Sequence, residues 1–136
     1  MKYTVVFDTN ILLSALFSTN GSPFRCLALA KIGQIDSVTC QEILDEFAEK
    51  LAFKFKFSEE KVQTSVTEVH KFSRLVEISG RLKIVADDPD DDMIIECAQV
   101  GQATHIVTGD KHLLRLTSYQ NIAIIKAVDF LTLLST

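Results

Sequence analysis

Apolar residues recur with two different periods along this 136-residue chain. Short runs rich in β-branched residues are typical of buried strands, and they alternate with longer stretches whose apolar positions recur every three or four residues, as in helices. Because the two patterns alternate throughout, they predict an α/β fold with a central parallel sheet and helices on both faces. The candidate strands are Lys2 to Asp8, Ile35 to Thr39, Leu75 to Ile78, Leu82 to Val85, Thr104 to Thr108 and Ile122 to Ile125.

Helical spacing fills the intervals between these strands. Ser22 and Pro23 are placed as the cap and first position of one helix, and residues 93–100 are apolar almost all round, which predicts a helix packed on several sides. The predicted helices cover Ile11 to Phe17, Ser22 to Lys31, Gln41 to Phe53, a stretch from Ser58, Met93 to Val100, a short segment around Leu113, and Val128 to Leu134. The length suits a single domain spanning residues 1–136.

Composition narrows the class of protein. Hydrophobic residues make up 47% and charged residues 24%, as in soluble globular proteins, and the apolar runs are too short for a membrane span or a signal peptide. We therefore expect a cytoplasmic protein without membrane contact. The three cysteines lack CxxC spacing and read as reduced, buried thiols. A net charge of −4 argues against strong non-specific nucleic-acid binding, so any such contact must be local.

Acidic residues stand at the carboxyl ends of two of the predicted strands. Asp8 ends the apolar run at residues 5–7, and Asp110 follows the run at residues 106–109. Parallel strands share one carboxyl edge, where open α/β sheets bind ligands, so these acids should meet each other and the acidic run from Asp87 to Asp92. Two like charges roughly 4 Å apart repel by about 4 kcal/mol at an effective dielectric of about 20. Such a cluster calls for protons or a cation, and oxygen ligands favour Mg²⁺ or Mn²⁺.

Each of these acids also has an ordinary structural interpretation. Asp8 and Asp110 both precede predicted helices, and Asp is a favoured N-cap. Asn10 is a candidate support for Asp8, and Thr108 for a neighbouring carboxylate or a water.

The acidic run before the helix at residues 93–100 exceeds what helix capping alone explains. Pro89 disfavours helix at Asp88, so a turn leads into a helix that starts near Asp91. Each carboxylate at a helix N-terminus stabilises the helix by roughly 0.3–1 kcal/mol. This effect accounts for one or two carboxylates rather than five. Asp91 is the preferred site residue, with Asp88 and Asp92 as the alternatives.

Charged residues on the predicted helix at residues 41–53 carry a weaker signal. Glu46 lies with other acids on a face away from the apolar stripe, which on physical grounds alone looks like an ordinary solvated surface. Basic residues group nearby and again after Asp110. These are most simply solvated faces as well, with Lys50, Lys54 and Lys111 as candidate phosphate contacts. No phosphate-binding glycine loop and no nucleophile–histidine arrangement is present.

Four segments together resemble the PIN-domain family, and within it the small prokaryotic toxins of toxin–antitoxin pairs. The segments are Val6 to Asn10, Ile43 to Phe47, Asp88 to Asp92 and Val107 to Leu114. The resemblance covers essentially the whole chain and implies a three-layer α/β/α sandwich. It also implies metal-dependent RNA cleavage and neutralisation by an antitoxin encoded alongside. Residue by residue, it makes Asp8, Glu46, Asp91 and Asp110 the acidic metal site. The run of consecutive acids leaves open whether Asp91 or Asp92 takes the third acidic position of the family pattern.

The leading hypothesis is therefore a Mg²⁺- or Mn²⁺-dependent endoribonuclease. The metal would bind Asp8, Asp91 and Asp110, while Glu46 orients the attacking water or helps to hold a second ion. RNA, a small antitoxin and a second copy of the chain are the candidate partners. One rival is an inactive PIN-like binding module, which the presence of all four acids disfavours. Another is a phosphoaspartyl receiver-like protein with Lys126 as its lysine, although no aspartate stands where the phosphoacceptor should lie.

Overall fold

The computed structural model describes residues 2–84 and 88–135. Asp87 and Val85, which belong to the predicted acidic run and to one predicted strand, lie outside the described residues. The strands are β1 (Thr4–Phe7), β2 (Asp36–Cys40), β3 (Ser73–Val76), β4 (His105–Val107), β5 (Ser118–Tyr119) and β6 (Ile122–Ile125). The helices are α1 (Thr9–Phe17), α2 (Ser22–Lys31), α3 (Gln41–Phe53), α4 (Glu59–Phe72), α5 (Pro89–Val100), α6 (Lys111–Leu116) and α7 (Ala127–Leu134).

The strands form one sheet in the order β3-β2-β1-β4-β6-β5. All neighbouring pairs are parallel except β5 with β6, which is antiparallel. The strand order reverses at the centre: the chain leaves β1 toward β2 and β3, and later returns to the other side of β1 as β4. The crevice between β1 and β4 at their carboxyl ends is therefore the topological switch point, where ligands bind in open α/β sheets.

Helices cover both faces of this sheet in a three-layer α/β/α arrangement. Helix α2 contacts both α1 and α7, while α5 packs across β1, β2 and β4. The approach of α5 is close because Gly101 ends it: a Cβ at this residue would lie 2.5 Å from Val38 Cγ1 on β2. The middle of α5 is buried almost all round, as its sequence predicted.

The predicted α/β class is confirmed, with three local differences. The third strand begins at Ser73, two residues before the predicted Leu75, and β5 was not predicted, since two residues carry no periodic signal. Residues 82–84 form no strand, because side-chain carboxylates of α5 accept hydrogen bonds from the amides of Leu82 and Ile84. No helix among the described residues is long and apolar enough to cross a bilayer.

Candidate metal and phosphodiester site

Asp8 lies at the switch point, directly after β1. Its backbone N–H donates to the Val107 carbonyl at 3.0 Å, which continues the pairing of β1 with β4 past the last paired residues. The side chain is buried, and the Thr108 hydroxyl donates to its Oδ2 at 2.6 Å. Burial raises the pKa of Asp8 most, and the nearby Asp110 charge also raises it. The Thr108 hydroxyl, the Thr9 amide and Lys50 act in the opposite direction.

Thr108 links the two acids that follow the central strands. Besides donating to Asp8, its hydroxyl oxygen accepts the Asp110 amide at 3.0 Å. Asp110 in turn caps α6, because its Oδ1 accepts the His112 amide at 2.7 Å. The capping interpretation of Asp110 is therefore correct, yet one carboxylate oxygen suffices for the cap. The predicted supporting role of Thr108 has a definite form: the hydroxyl holds both acids in place.

Asp91 reaches the same crevice from the first turn of α5. Carboxylate oxygens of Asp88, Asp91 and Asp110 all lie within 4.8 Å of one another. Asp91 is 3% exposed, and its Oδ2 is buried without a hydrogen-bond partner among the described residues. Burial, followed by contact with Asp110, raises the pKa of Asp91 to about 8, and the charges of Asp88 and Asp8 add to the effect.

Glu46 borders this cluster from α3. Its side chain is mostly buried, and burial is the main cause that raises its pKa. The hydroxyl of Thr9 and the charge of Lys50 oppose that shift, while Asp90 reinforces it. Lys50 Nζ lies 3.9 Å from Glu46 Oε1 and donates to Asn10 Oδ1 at 3.4 Å.

A groove of about 390 Å³ opens beside Glu46. Charged side chains from α3 and α5 line most of it: Glu42, Asp45, Glu46, Glu49, Lys50, Asp90 and Met93. The helical projection of α3 predicts a solvated face around Glu46, and Glu42 and Glu49 on that face are exposed. The projection of α3 alone did not show that α5 lines the same groove and that the Glu46 side chain is mostly buried.

The structure separates the two acids between which the sequence register could slide. Asp92 is buried on another side of α5, where its Oδ1 accepts the Ile84 amide at 2.7 Å. Asp88 has two contacts: it caps α5 by accepting the Asp90 amide at 3.0 Å, and its carboxylate also belongs to the cluster. Asp91 is thus the residue of the pair that faces Asp110.

The remaining predicted residues lie outside the cluster. Asn10 is exposed and contacts Lys50. Lys111 is exposed at the start of α6, and Lys54 follows α3, with its Nζ 5.5 Å from the centre of the Phe55 ring. Sequence reasoning missed Thr9 and Asp90, which neighbour Glu46. For Thr9 a signal existed, since a hydroxyl residue directly follows the strand-end acid.

The donor set suits a hard divalent cation. Asp8, Asp91 and Asp110 offer only oxygen atoms, and a buried carboxylate oxygen without a donor is costly unless it is protonated or coordinated. Burial and the neighbouring acids raise the pKa of Asp91, so that a proton would compensate its carboxylate in the absence of a metal. A cation would replace that proton and relieve the repulsion among the acids.

Comparisons with known proteins identify relatives of this chain. A family model described as PIN domain matches residues 4–112. An uncharacterised protein of Methanocaldococcus jannaschii is 31% identical over 120 residues, covering 85% of this chain and 76% of that protein. The crystal structure of VapBC2 from Rickettsia felis, bound to a DNA fragment from their promoter, is similar with a TM-score of 0.63 and 18% identity. That match covers 89% of this chain and 96% of the other and concerns the fold.

Proposed function

The chain belongs to the PIN-domain family, and on that basis we propose that it is a divalent-metal-dependent endoribonuclease that acts as the toxin of a toxin–antitoxin pair. One observation carries the proposal. Asp91 has a buried carboxylate oxygen without a partner among the described residues, and it faces Asp110 at the sheet's switch point. A purely structural acid would be expected to find donors for such an oxygen.

Asp8, Asp91 and Asp110 are the proposed metal ligands, with Glu46 beside them. When bound, Mg²⁺ or Mn²⁺ supplies charge neutralisation for the scissile phosphate and the leaving oxygen, and lowers the pKa of the attacking water. The site excludes part of the surrounding water, since Asp8 and Asp91 are buried. Charges in such a site interact more strongly than in bulk solvent.

The protein's own groups orient these acids. Thr108 donates to Asp8 and accepts from the Asp110 amide, so that the two carboxylates keep one relative position. Glu46 has a raised pKa and lies at the groove, where it can accept a proton from the attacking water. Lys50 bridges Glu46 and Asn10 and supplies a positive charge beside the groove, where the RNA phosphate would approach.

The toxin role and the antitoxin partner have two supports. The four sequence segments resemble PIN-type toxins, and the fold is shared with VapBC2, which was crystallised on promoter DNA. A protein of this type acts on RNA and requires a neutralising partner in the cell that makes it. A neighbouring reading frame encoding a small protein that suppresses the chain's toxicity would support this role.

The nuclease proposal is tested by cleavage of a labelled single-stranded RNA in Mn²⁺, Mg²⁺ and EDTA. We expect cleavage only with a divalent ion, and its loss in Asp8→Asn with the fold intact. Asp129→Asn is the matched control, since Asp129 also lies at a helix start but is exposed on α7. Undiminished cleavage by Asp8→Asn, in a preparation free of other nucleases, would refute the assignment.

A further inference from the structure

Phenylalanine and lysine alternate from Phe53 to Phe57, at the end of α3 and in the turn that follows. Phe53, the last residue of the helix, is 73% exposed, the largest fraction among the exposed large hydrophobic side chains of the described residues. Phe55 and Phe57 are half-buried. An exposed aromatic ring between lysines is unexplained by the core and by the acidic site.

Backbone hydrogen bonds connect the turn to the last residues of α3. The Phe55 amide donates to the Lys50 carbonyl at 3.2 Å, and the Phe57 amide donates to the Leu51 carbonyl at 2.9 Å. Both rings contact Phe17 at the end of α1, with ring centres 4.5 Å and 5.9 Å away. These ring contacts hold residues 55–57 against the end of α1, whereas the preceding Phe53 is 73% exposed.

Lysines accompany the rings closely. Lys54 Nζ lies 5.5 Å from the centre of the Phe55 ring, and Lys61 Nζ lies 5.1 Å from that of Phe57. Residues 50–58 contain three lysines and no acid, in a chain whose net charge is −4. The segment is therefore a local positive surface of the kind that a negatively charged partner requires in an acidic protein.

This surface is continuous with the acidic site along α3. Glu46, Lys50 and Phe53 are spaced at i, i+4 and i+7 and so share one helix face. With a rise of 1.5 Å per residue, Phe53 lies about 10 Å from Glu46 along the axis. A strand bound at the carboxylates would reach Phe53 with nucleotides next to the cleaved bond.

We propose that residues 50–57 form a subsite for single-stranded RNA, in which a base stacks on Phe53 and adjacent phosphates bind Lys50, Lys54 and Lys56. This inference rests on the proposed nuclease function. Aromatic rings interleaved with basic residues are how proteins hold single strands without reading their sequence. Base faces are free to stack only in unpaired RNA, so the subsite selects single-stranded segments over duplex.

Equilibrium binding in the cleavage-defective Asp110→Asn variant tests the subsite without cleavage. The probe is a fluorescein-labelled single-stranded RNA of twelve nucleotides, with a duplex of the same sequence for comparison, both followed by anisotropy. Within this background, Phe53→Ala and Phe53→Leu should weaken single-strand binding about tenfold, whereas Phe53→Tyr should retain it, because stacking requires the ring. Ile32→Ala is the matched control, since Ile32 is 69% exposed at the end of another helix.

The lysines are tested by the salt dependence of the same binding. Lys54→Gln and Lys56→Gln each remove one phosphate-binding charge, so either variant should reduce the slope of log K against log salt by about 0.7. Lys71→Gln is the control, because Lys71 is exposed on α4 and pairs with Glu68. Undiminished single-strand binding by Phe53→Leu would overturn the stacking proposal.

Two other occupants would be revealed by different readouts. If Phe53→Ala converts a dimer to a monomer while RNA affinity is unchanged, the surface is an interface between copies of the chain, and the proposal is wrong. It is equally wrong if that variant loses a co-expressed antitoxin while RNA affinity is unchanged. Failure of the nuclease function would appear separately, as absence of metal-dependent cleavage by the unaltered protein.

Discussion

Helix α5 carries two sets of carboxylates with opposite surroundings. Glu96 is buried and accepts hydrogen bonds from the Ser79 amide and hydroxyl at 2.6 Å and 2.8 Å, and from the Gly80 and Leu82 amides. Burial alone would raise the pKa of Glu96, but these donors together lower it below its usual value. Asp91, on the same helix, has acids for neighbours and a pKa raised to about 8.

The difference separates a structural carboxylate from one that is available to a ligand. Hydrogen bonds from the protein compensate for the burial of the Glu96 carboxylate. They also hold the segment around Ser79 against α5. Asp91 receives few hydrogen bonds from the protein, so a proton or a cation must compensate for the burial of its carboxylate. Asp92 belongs with Glu96 in this respect, because it accepts the Ile84 amide. Burial of an acid is therefore not a sign of a ligand site unless the protein also fails to supply it with donors.

The largest expected effect is on cleavage, and it contrasts neighbouring acids. Asp91→Asn should lower kcat/KM by more than about 100-fold, the upper end for residues that only support a metal ligand. Asp92→Asn should change kcat/KM by less than about tenfold, because its amide oxygen can still accept from Ile84. Metal-dependent RNA cleavage measured for both variants tests this contrast. A reversed order would assign the site position to Asp92, and equal losses would refute the distinction between the two residues.

The second effect is on stability and concerns Glu96. Glu96→Ala leaves buried amides without an acceptor and should lower the free energy of unfolding by about 2–4 kcal/mol, measured in urea. Glu68→Ala, on the exposed surface of α4, should change it by no more than about 0.5 kcal/mol. Equal losses in the two variants would mean that the donors around Glu96 contribute nothing.

Metal binding should stabilise the native state through the other set of acids. At a hundredfold excess over Kd, Mn²⁺ adds about 2.7 kcal/mol, and each kcal/mol raises Tm by roughly 2–8 °C for a domain of this size. The gain should vanish in an Asp8→Asn, Asp110→Asn double variant and persist in Glu96→Gln. A melting curve of the unaltered protein that is indifferent to Mn²⁺ and Mg²⁺ would contradict a convergent site.

Per pH unit, the smallest effect is the pH dependence of stability in EDTA, where the two sets should act in opposite senses. The folded pKa of Asp91, about 8, exceeds its ordinary value of 3.8, so the native state holds an extra proton and loses stability as pH rises toward 8. The loss is at most about 1.4 kcal/mol per pH unit. The folded pKa of Glu96 is below 4.5, so its contribution is complete above that pH and disappears in acid.

Melting curves from acid to mildly alkaline pH separate these contributions. Asp91→Asn should remove the decline toward pH 8 and leave the acid limb unchanged, whereas Glu96→Gln should flatten only the acid limb. A decline toward pH 8 that survives in Asp91→Asn would assign the extra proton to another acid of the cluster.

Local sequence identified the candidate site residues that lie at strand ends. Asp8 and Asp110 follow apolar runs, and any parallel arrangement of those runs brings their ends to one edge. Glu46 was beyond local reasoning, because its helix face is otherwise exposed. It was expected only through the family resemblance. Its neighbourhood depends on α5, a helix distant in sequence, which places Asp90 beside the same groove.

The sequence by itself determined the alternation of strands and helices and the acids at the two strand ends, because periodicity and strand-end position are properties of short segments. Only the tertiary structure decided which of the adjacent acids Asp91 and Asp92 faces Asp110. Successive residues on a helix point about 100° apart, so the answer depends on how α5 is rotated against the sheet. That rotation follows from packing across β1, β2 and β4 and from the close approach at Gly101, which no local pattern contains.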